Sequence, residues 1–199
     1  MVLEDLIQVN RLWRKIYPYL AMQTAGIYRR DCGDVLELGP FSGGISLELA
    51  GRYPGLNITI ADNSSEVLNY FNEEIRSAGL TANIRTRKTG LNPLVFNDAE
   101  FDLVIVRGAF FFLDEDGNIL REIFRVIRKG GIAFAGGGFG KDTPKDIIDE
   151  IAEESRVLND RLGRKRVRIQ GLEQIISRAR LTDNCRIVEE GGLWVIVRK

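Results

Sequence analysis

The chain is 199 residues long and 44% hydrophobic, with 28 basic side chains balanced by 28 acidic ones. That length buries one full core and leaves little room for a second domain, and zero net charge argues against a bulk pull toward nucleic acid or an anionic membrane. There is no histidine, and Cys32 and Cys185 form no metal or redox motif, so a zinc centre and a disulfide framework are both disfavoured.

In chain order, Leu6, Val9, Trp13, Ile16 and Leu20 recur at helical spacing, with Pro18 as a kink or break. Glu4, Asp5, Arg11, Arg14 and Lys15 interrupt this stretch, and no apolar run is long enough to span a bilayer. Neither a secretory leader nor a membrane span is expected, and the cytoplasm is the expected compartment. Strands are predicted at Val35 to Leu38, Ile58 to Ala61, Asn83 to Lys88, Leu103 to Val106 and Ile132 to Ala135, with helical patterns between them. Such alternation builds a parallel sheet covered on both faces. A helix from about Gly44 to Gly51 follows the first strand, and Asn63 with Glu66 three residues later has the spacing of a capping box.

Beyond the fifth strand, Gly136-Gly137-Gly138-Phe139-Gly140 reads as a loop at the carboxyl edge of the sheet. Asp142 or Thr143 can cap the next helix, Pro144 suits its first turn, Ile147, Ile148, Ile151, Leu158 and Leu162 line one face, and Gly163 stops it. A shorter helix near Leu172 to Ala179 precedes a predicted antiparallel hairpin, Arg186 to Glu189 and Leu193 to Val197, joined through Gly191-Gly192.

The chemistry concentrates at Asp34-Val35-Leu36-Glu37-Leu38-Gly39-Pro40-Phe41-Ser42-Gly43-Gly44. An apolar run that ends in a glycine-bearing turn, opens a helix, and is answered by an acid after the next apolar run, here Asp62, suits a nucleoside-containing cofactor. Gly39 and Gly43 permit a tight turn and close approach of a ligand, the helix start offers unpaired N–H groups, and Asp62 can accept from the vicinal hydroxyls of a ribose. Gly39-x-x-x-Gly43-Gly44 departs from the dinucleotide pattern G-x-G-x-x-G, and Phe41 stands where a pyrophosphate would need bare backbone. Glu37 would repel a phosphate but suits a ligand bearing an ammonium group. These residues favour an amino-acid-bearing nucleoside. The structural alternatives are that the glycines serve only a tight turn and Asp62 only a helix cap.

At these residues the chain resembles the class I S-adenosylmethionine-dependent methyltransferases, whose first motif runs acid-x-Gly-x-Gly-x-Gly after a strand. Glu37, Gly39 and Gly43 match that motif, and Asp62 takes the place of the family's ribose-binding acid. Phe101 to Ala109 is similar to the family's fourth strand and its exit, and Leu120 to Gly131 to the helix and turn before the fifth. Phe41 replaces the second glycine, and Thr89-Gly90-Leu91 lacks the acid that many relatives turn toward the adenine amino group. The resemblance implies an α/β, three-layer Rossmann-like sandwich with a mostly parallel seven-stranded sheet and a C-terminal antiparallel hairpin. It implies one domain over residues 1–199: a helical lid over 1–30, a cofactor-binding core over 33–138, a helical cap over 139–170, and a helix with the hairpin over 171–199. The implied cofactor-binding residues are Glu37, Gly39, Pro40, Phe41, Ser42, Gly43, Asp62, Asn63, Thr89, Gly90, Leu91 and Arg107.

It further implies proximity-driven methyl transfer from S-adenosyl-L-methionine to a small-molecule acceptor, with membrane and nucleic acid disfavoured as partners and a homodimer left open. A sulfonium methyl is already activated, so the protein must hold the acceptor in line with the carbon–sulfur bond and exclude water. A base is needed only for a protonated acceptor, and without histidine it would be a carboxylate, a tyrosine such as Tyr17 or Tyr19, or the substrate itself. Phe110-Phe111-Phe112 reads as core or as pocket wall. The cluster Arg161, Arg164, Lys165, Arg166 and Arg168 reads as a solvated helix end, or as a contact for a phosphate-bearing substrate or RNA. A non-catalytic S-adenosylmethionine-binding subunit or regulator is the alternative, followed by a nicotinamide-dependent oxidoreductase, opposed by Phe41 and the hairpin, and an RNA methyltransferase.

Overall fold

The computed structural model of the protein describes residues 3–39, 43–161 and 167–199. Two helices, α1 (Leu3–Trp13) and α2 (Tyr17–Tyr28), precede the alternating core of β1 (Cys32–Leu38), α3 (Gly44–Arg52), β2 (Gly55–Asp62), α4 (Ser65–Ser77) and β3 (Ile84–Lys88). There follow β4 (Phe101–Arg107), α5 (Asn118–Val126), β5 (Ile127–Gly138), α6 (Lys145–Arg161), α7 (Ile169–Ala179), β6 (Cys185–Val188) and β7 (Gly192–Arg198). Among the described residues the strands form a seven-stranded sheet in the order β3-β2-β1-β4-β5-β7-β6. All neighbours run parallel except β7, which lies antiparallel between β5 and β6. This is the expected three-layer sandwich with its terminal hairpin.

The sheet is apolar on both faces, as a parallel sheet covered twice must be. Successive residues of one strand therefore enter opposite cores. Val35, Leu103, Ile105, Phe134 and Trp194 pack with α1, α2, α3, α4 and α6 on one side. Leu36, Leu38, Val104, Val106 and Ala133 pack with α5 and α7 on the other. At the amino edge of the sheet Arg128 bridges Asp34 at 2.8 Å and Asp102 at 2.6 Å, pinning β1 and β4 at the end opposite the glycine turn.

Three local expectations are corrected. Gly136, Gly137 and Gly138 are not loop but the last residues of β5, paired with Trp194, Leu193 and Gly192 of β7. A Cβ at Gly136 or Gly138 would overlap the β7 backbone, so the absence of side chains is what lets the strands close to their ends. The cap of α4 is Ser64, not Asn63: Asp62 Oδ1 accepts from the Ser64 N–H at 2.7 Å, and Ser64 Oγ accepts from the Val67 N–H at 3.4 Å. That places the extended cap conformation at Ser64, with φ −94° and ψ 119°. The first helical stretch breaks ahead of Pro18, which sits in the first turn of α2 where its missing N–H costs nothing. Thr143 does not hold the cap position of α6, because the first helical bond runs from the Ile148 N–H to the Pro144 carbonyl, and the Thr143 hydroxyl donates to the Phe139 carbonyl instead. Leu162 and the stop at Gly163 lie outside the described residues, as do Arg164, Lys165 and Arg166.

Trp194 anchors β7 to the first core: it is 0% exposed and stacks on Phe134 with ring centroids 4.2 Å apart. Trp194→Ala should cost about 3–5 kcal/mol by the cavity it leaves, read from urea unfolding midpoints. Trp194→Phe should cost far less, since the buried indole Nε1 has no hydrogen-bond partner to lose.

Candidate active site

The strand order reverses direction between β1 and β4, the switch point outside whose carboxyl ends α/β sheets bind ligands. Glu37 lies one residue from the end of β1 and is 1% exposed. Its Oε2 accepts from the Ser46 N–H at 2.7 Å, so a carboxylate on the strand fastens the first turn of α3. Burial pushes the Glu37 carboxyl up, against the N–H groups of Gly43 and Ser46 and the charge of Arg107, which favour ionisation. Gly39 leaves the strand with φ 114°, a conformation open to glycine. The edge of the Phe112 ring covers it, 3.1 Å from where a Cβ would stand.

Asp62 ends β2 and is 5% exposed, with Oδ1 committed to the Ser64 N–H. Thr89 is buried: its N–H donates to the Asp62 carbonyl at 3.0 Å, and its hydroxyl donates to the Gly90 carbonyl and accepts from the Val95 N–H. Thr89 thus shapes the turn after β3, beside the exposed Gly90 and half-buried Leu91. Asn63 is exposed next to Asp62. Pro40, Phe41 and Ser42, predicted to join this site, lie outside the described residues. Glu37, Gly39, Gly43, Asp62 and Thr89 are therefore gathered on one sheet edge. Acceptor oxygens at two strand ends, with a helix start between them, fit a nucleoside that carries an amino acid. Among the described residues no cluster of three metal-ligating side chains occurs.

The N-terminal helices are packed into this edge. Tyr17 fills the space that a side chain on Gly44 would need, and its hydroxyl donates to Asn10 Oδ1 at 2.6 Å while Asn10 Nδ2 donates to the Tyr70 hydroxyl at 3.2 Å. Burial pushes the Tyr17 hydroxyl up to about 12, the nearby Arg107 charge opposing the shift. It stays a neutral hydrogen-bond donor at neutral pH, which removes Tyr17 from the candidate bases.

A cavity of about 680 Å³ opens beside the edge, between α1, α6 and the exits of β4 and β5. Trp13, Phe110, Phe111, Phe112 and Phe139 make its walls, and Phe112 is the ring that also covers Gly39. The three consecutive phenylalanines thus belong to the pocket wall. Phe139 stacks on Trp13 at 5.4 Å and 10°, and Arg107 lies over the same indole at 3.6 Å. Of the predicted cofactor-binding residues that the structure describes, Arg107 alone lines this cavity. Ser155 and Asn159 face it from α6, a contribution the sequence reading missed. The signal was present in Ser155, a serine on the same buried stripe as Ile151 and Leu158. Gln8 of α1 donates to Glu154 of α6, and Lys15, in the turn after α1, pairs with Glu150 of α6.

The raised Glu37 carboxyl sets a pH dependence. A carboxyl that holds its proton more tightly folded than unfolded stabilises most at low pH, and that stability is lost as pH rises from its ordinary 4.5 through the higher folded value. The unfolding free energy of the wild type relative to Glu37→Gln should therefore fall over that window and be flat outside it, measured by urea titration from pH 4 to 8. A difference that rises with pH would contradict the assignment.

Comparison with known proteins agrees with the geometry. A model of the methyltransferase domain matches residues 35–131. A ubiquinone/menaquinone biosynthesis C-methyltransferase, UbiE of Vibrio vulnificus, is 25% identical over 134 residues, covering 65% of this chain and 49% of the relative. The chain thus spans about half the length of the curated relatives it matches first. The crystal structure of a Methanococcus maripaludis protein assigned to the S-adenosylmethionine-dependent methyltransferases superposes with a TM-score of 0.81 at 25% identity, covering 94% of this chain and 87% of that one. A methyltransferase from Aquifex aeolicus shares the fold with a TM-score of 0.64 at 16% identity, covering 96% of each chain. The chain carries a match to the methyltransferase domain over residues 35–131 and is similar in sequence and fold to S-adenosylmethionine-dependent methyltransferases.

Proposed function

We propose that the protein transfers the sulfonium methyl group of S-adenosylmethionine to a small, largely apolar acceptor held in the aromatic cavity. The observation that carries this reading is the contact of Phe112 with Gly39: one ring bounds both the glycine turn and the cavity. S-adenosylmethionine supplies an electrophilic methyl carbon, so the acceptor's lone pair forms the new bond while the carbon–sulfur pair stays on sulfur. The chain's part is placement. Asp62 is positioned to accept from the ribose hydroxyls, and Glu37 to hold the donor's ammonium group directly or through water. Gly39 and Gly43 shape the turn. The turn at Thr89, Gly90 and Leu91 offers backbone groups and apolar contact to the adenine, with no acid among them.

The aromatic walls, α1 and α6 exclude water from the transfer. A cavity of this volume suits a ligand of drug-like size. UbiE relatives are named for carbon methylation in quinone biosynthesis, and a planar apolar acceptor is compatible with the phenylalanine-lined walls here. Among the described residues no helix is long and apolar enough to cross a membrane.

Calorimetry tests the reading. S-adenosylmethionine and S-adenosylhomocysteine should bind and NAD should not. Asp62→Ala should weaken both sulfur ligands by about 10- to 100-fold, the loss of hydrogen bonds to a charged group, with the unfolding transition still cooperative. Unchanged affinity in that variant would remove Asp62 from the site, and binding of NAD alone would overturn the methyltransferase reading.

A further inference from the structure

Arg107 carries the one charge lining the cavity that the described residues leave without an ionic partner. The other charged groups there are paired at the surface: Asp149 with Lys145, and Glu153 with Arg156. Arg107 forms no ion pair among the described residues, and its Nε is buried without a hydrogen-bond partner. Its guanidinium rests on ring faces, 3.6 Å over Trp13 and 5.4 Å from the Tyr17 centroid. The nearest acidic influence is Glu37, whose carboxylate is turned instead to the Ser46 N–H. Ring faces attract a cation but leave its N–H groups unsatisfied. A half-buried guanidinium whose buried Nε has no partner is placed to meet an anion whose oxygens complete its hydrogen bonds.

The geometry points to Arg107 as the acceptor-recognition residue, and to an acceptor that joins a planar apolar body to an anionic oxygen group such as a carboxylate. This inference rests on the methyltransferase reading above. Phe110, Phe111 and Phe139 line the space for the apolar body, Trp13 holds Arg107 and Phe139 in place, and Arg107 fixes the charged end at the exit of β4. Ser155 and Asn159 add neutral polar groups on the opposite wall element, α6. An acceptor bound in its ionised form also needs less help from a base, in keeping with a chain that has no histidine and a Tyr17 held neutral. Arg107 lines the cavity, whereas Glu37, Gly39, Asp62 and Thr89 do not. That separation assigns it to the acceptor and not to the donor's own carboxylate.

The test is titration calorimetry on protein saturated with S-adenosylhomocysteine, using benzoate, phenylacetate, indole-3-acetate and 2-naphthoate, each beside its neutral primary amide. At least one acid should bind about tenfold or more tightly than its amide, and the preference should weaken with added salt. Arg107→Met should abolish the preference and Arg107→Lys keep part of it, with S-adenosylhomocysteine affinity changed less than about threefold in both. The wild-type comparison stands even where a variant does not fold. Acids that bind no more tightly than their amides would overturn the inference while leaving the donor site intact. A preference that survives Arg107→Met, with donor affinity lost instead, would assign Arg107 to the donor carboxylate and equally overturn it. Failure of the wild type to bind S-adenosylhomocysteine would mark the methyltransferase reading itself as the one at fault, and this inference would fall with it.

Discussion

The hydrogen bond from the Ser46 N–H to Glu37 is the contact on which the site depends. It ties the end of the central strand to the first turn of α3 and so sets the span that the glycine turn must cross. A carboxylate with almost no solvent exposure is costly on its own. Here helix N–H groups and a neighbouring guanidinium offset that cost. The same acid influences Tyr17 and Arg107 electrostatically, so donor turn, N-terminal helices and cavity share one buried polar centre. Each of these groups is shifted chiefly by its own burial, with the charges of its neighbours opposing or adding to that shift.

Around that centre the fold divides labour by element. Strands β1 to β3 present acids and turns at their carboxyl ends, where the backbone is fixed by parallel pairing. The exit of β4 and the glycine-rich end of β5 open onto the cavity. Helices α1 and α6 come from opposite ends of the chain and close it. They share the first core through Val9, Trp13, Ile151 and Leu158, and one exposed ion pair and one long hydrogen bond add weak contacts at the surface.

Much of this was legible in the sequence, for physical reasons that differ by residue. Apolar runs separated by helical patterns gave away β1, β2 and β4, because strands buried on both faces have little choice but Val, Ile and Leu. Glu37, Gly39 and Asp62 were found by their spacing to the turn. The glycines at the end of β5 were not read as strand, since glycine has no propensity to report and the pairing with β7 is a long-range fact. Ser64 displaced Asn63 as the cap because Asp62 accepts the Ser64 N–H, an interaction that spacing alone does not reveal. The cavity was half visible: Arg107 and the three phenylalanines stood out, while Trp13, Phe139 and Ser155 are separated in sequence and joined by packing.

The central claim is that the glycine turn and the aromatic cavity are two halves of one reaction site. A crystal structure of the complex with S-adenosylhomocysteine tests it most directly. The account predicts the ribose against Asp62 and the sulfur facing the cavity at Gly108 and Phe112. A ligand bound elsewhere, or one whose sulfur points away from the cavity with Phe112 still sealing Gly39, would contradict it.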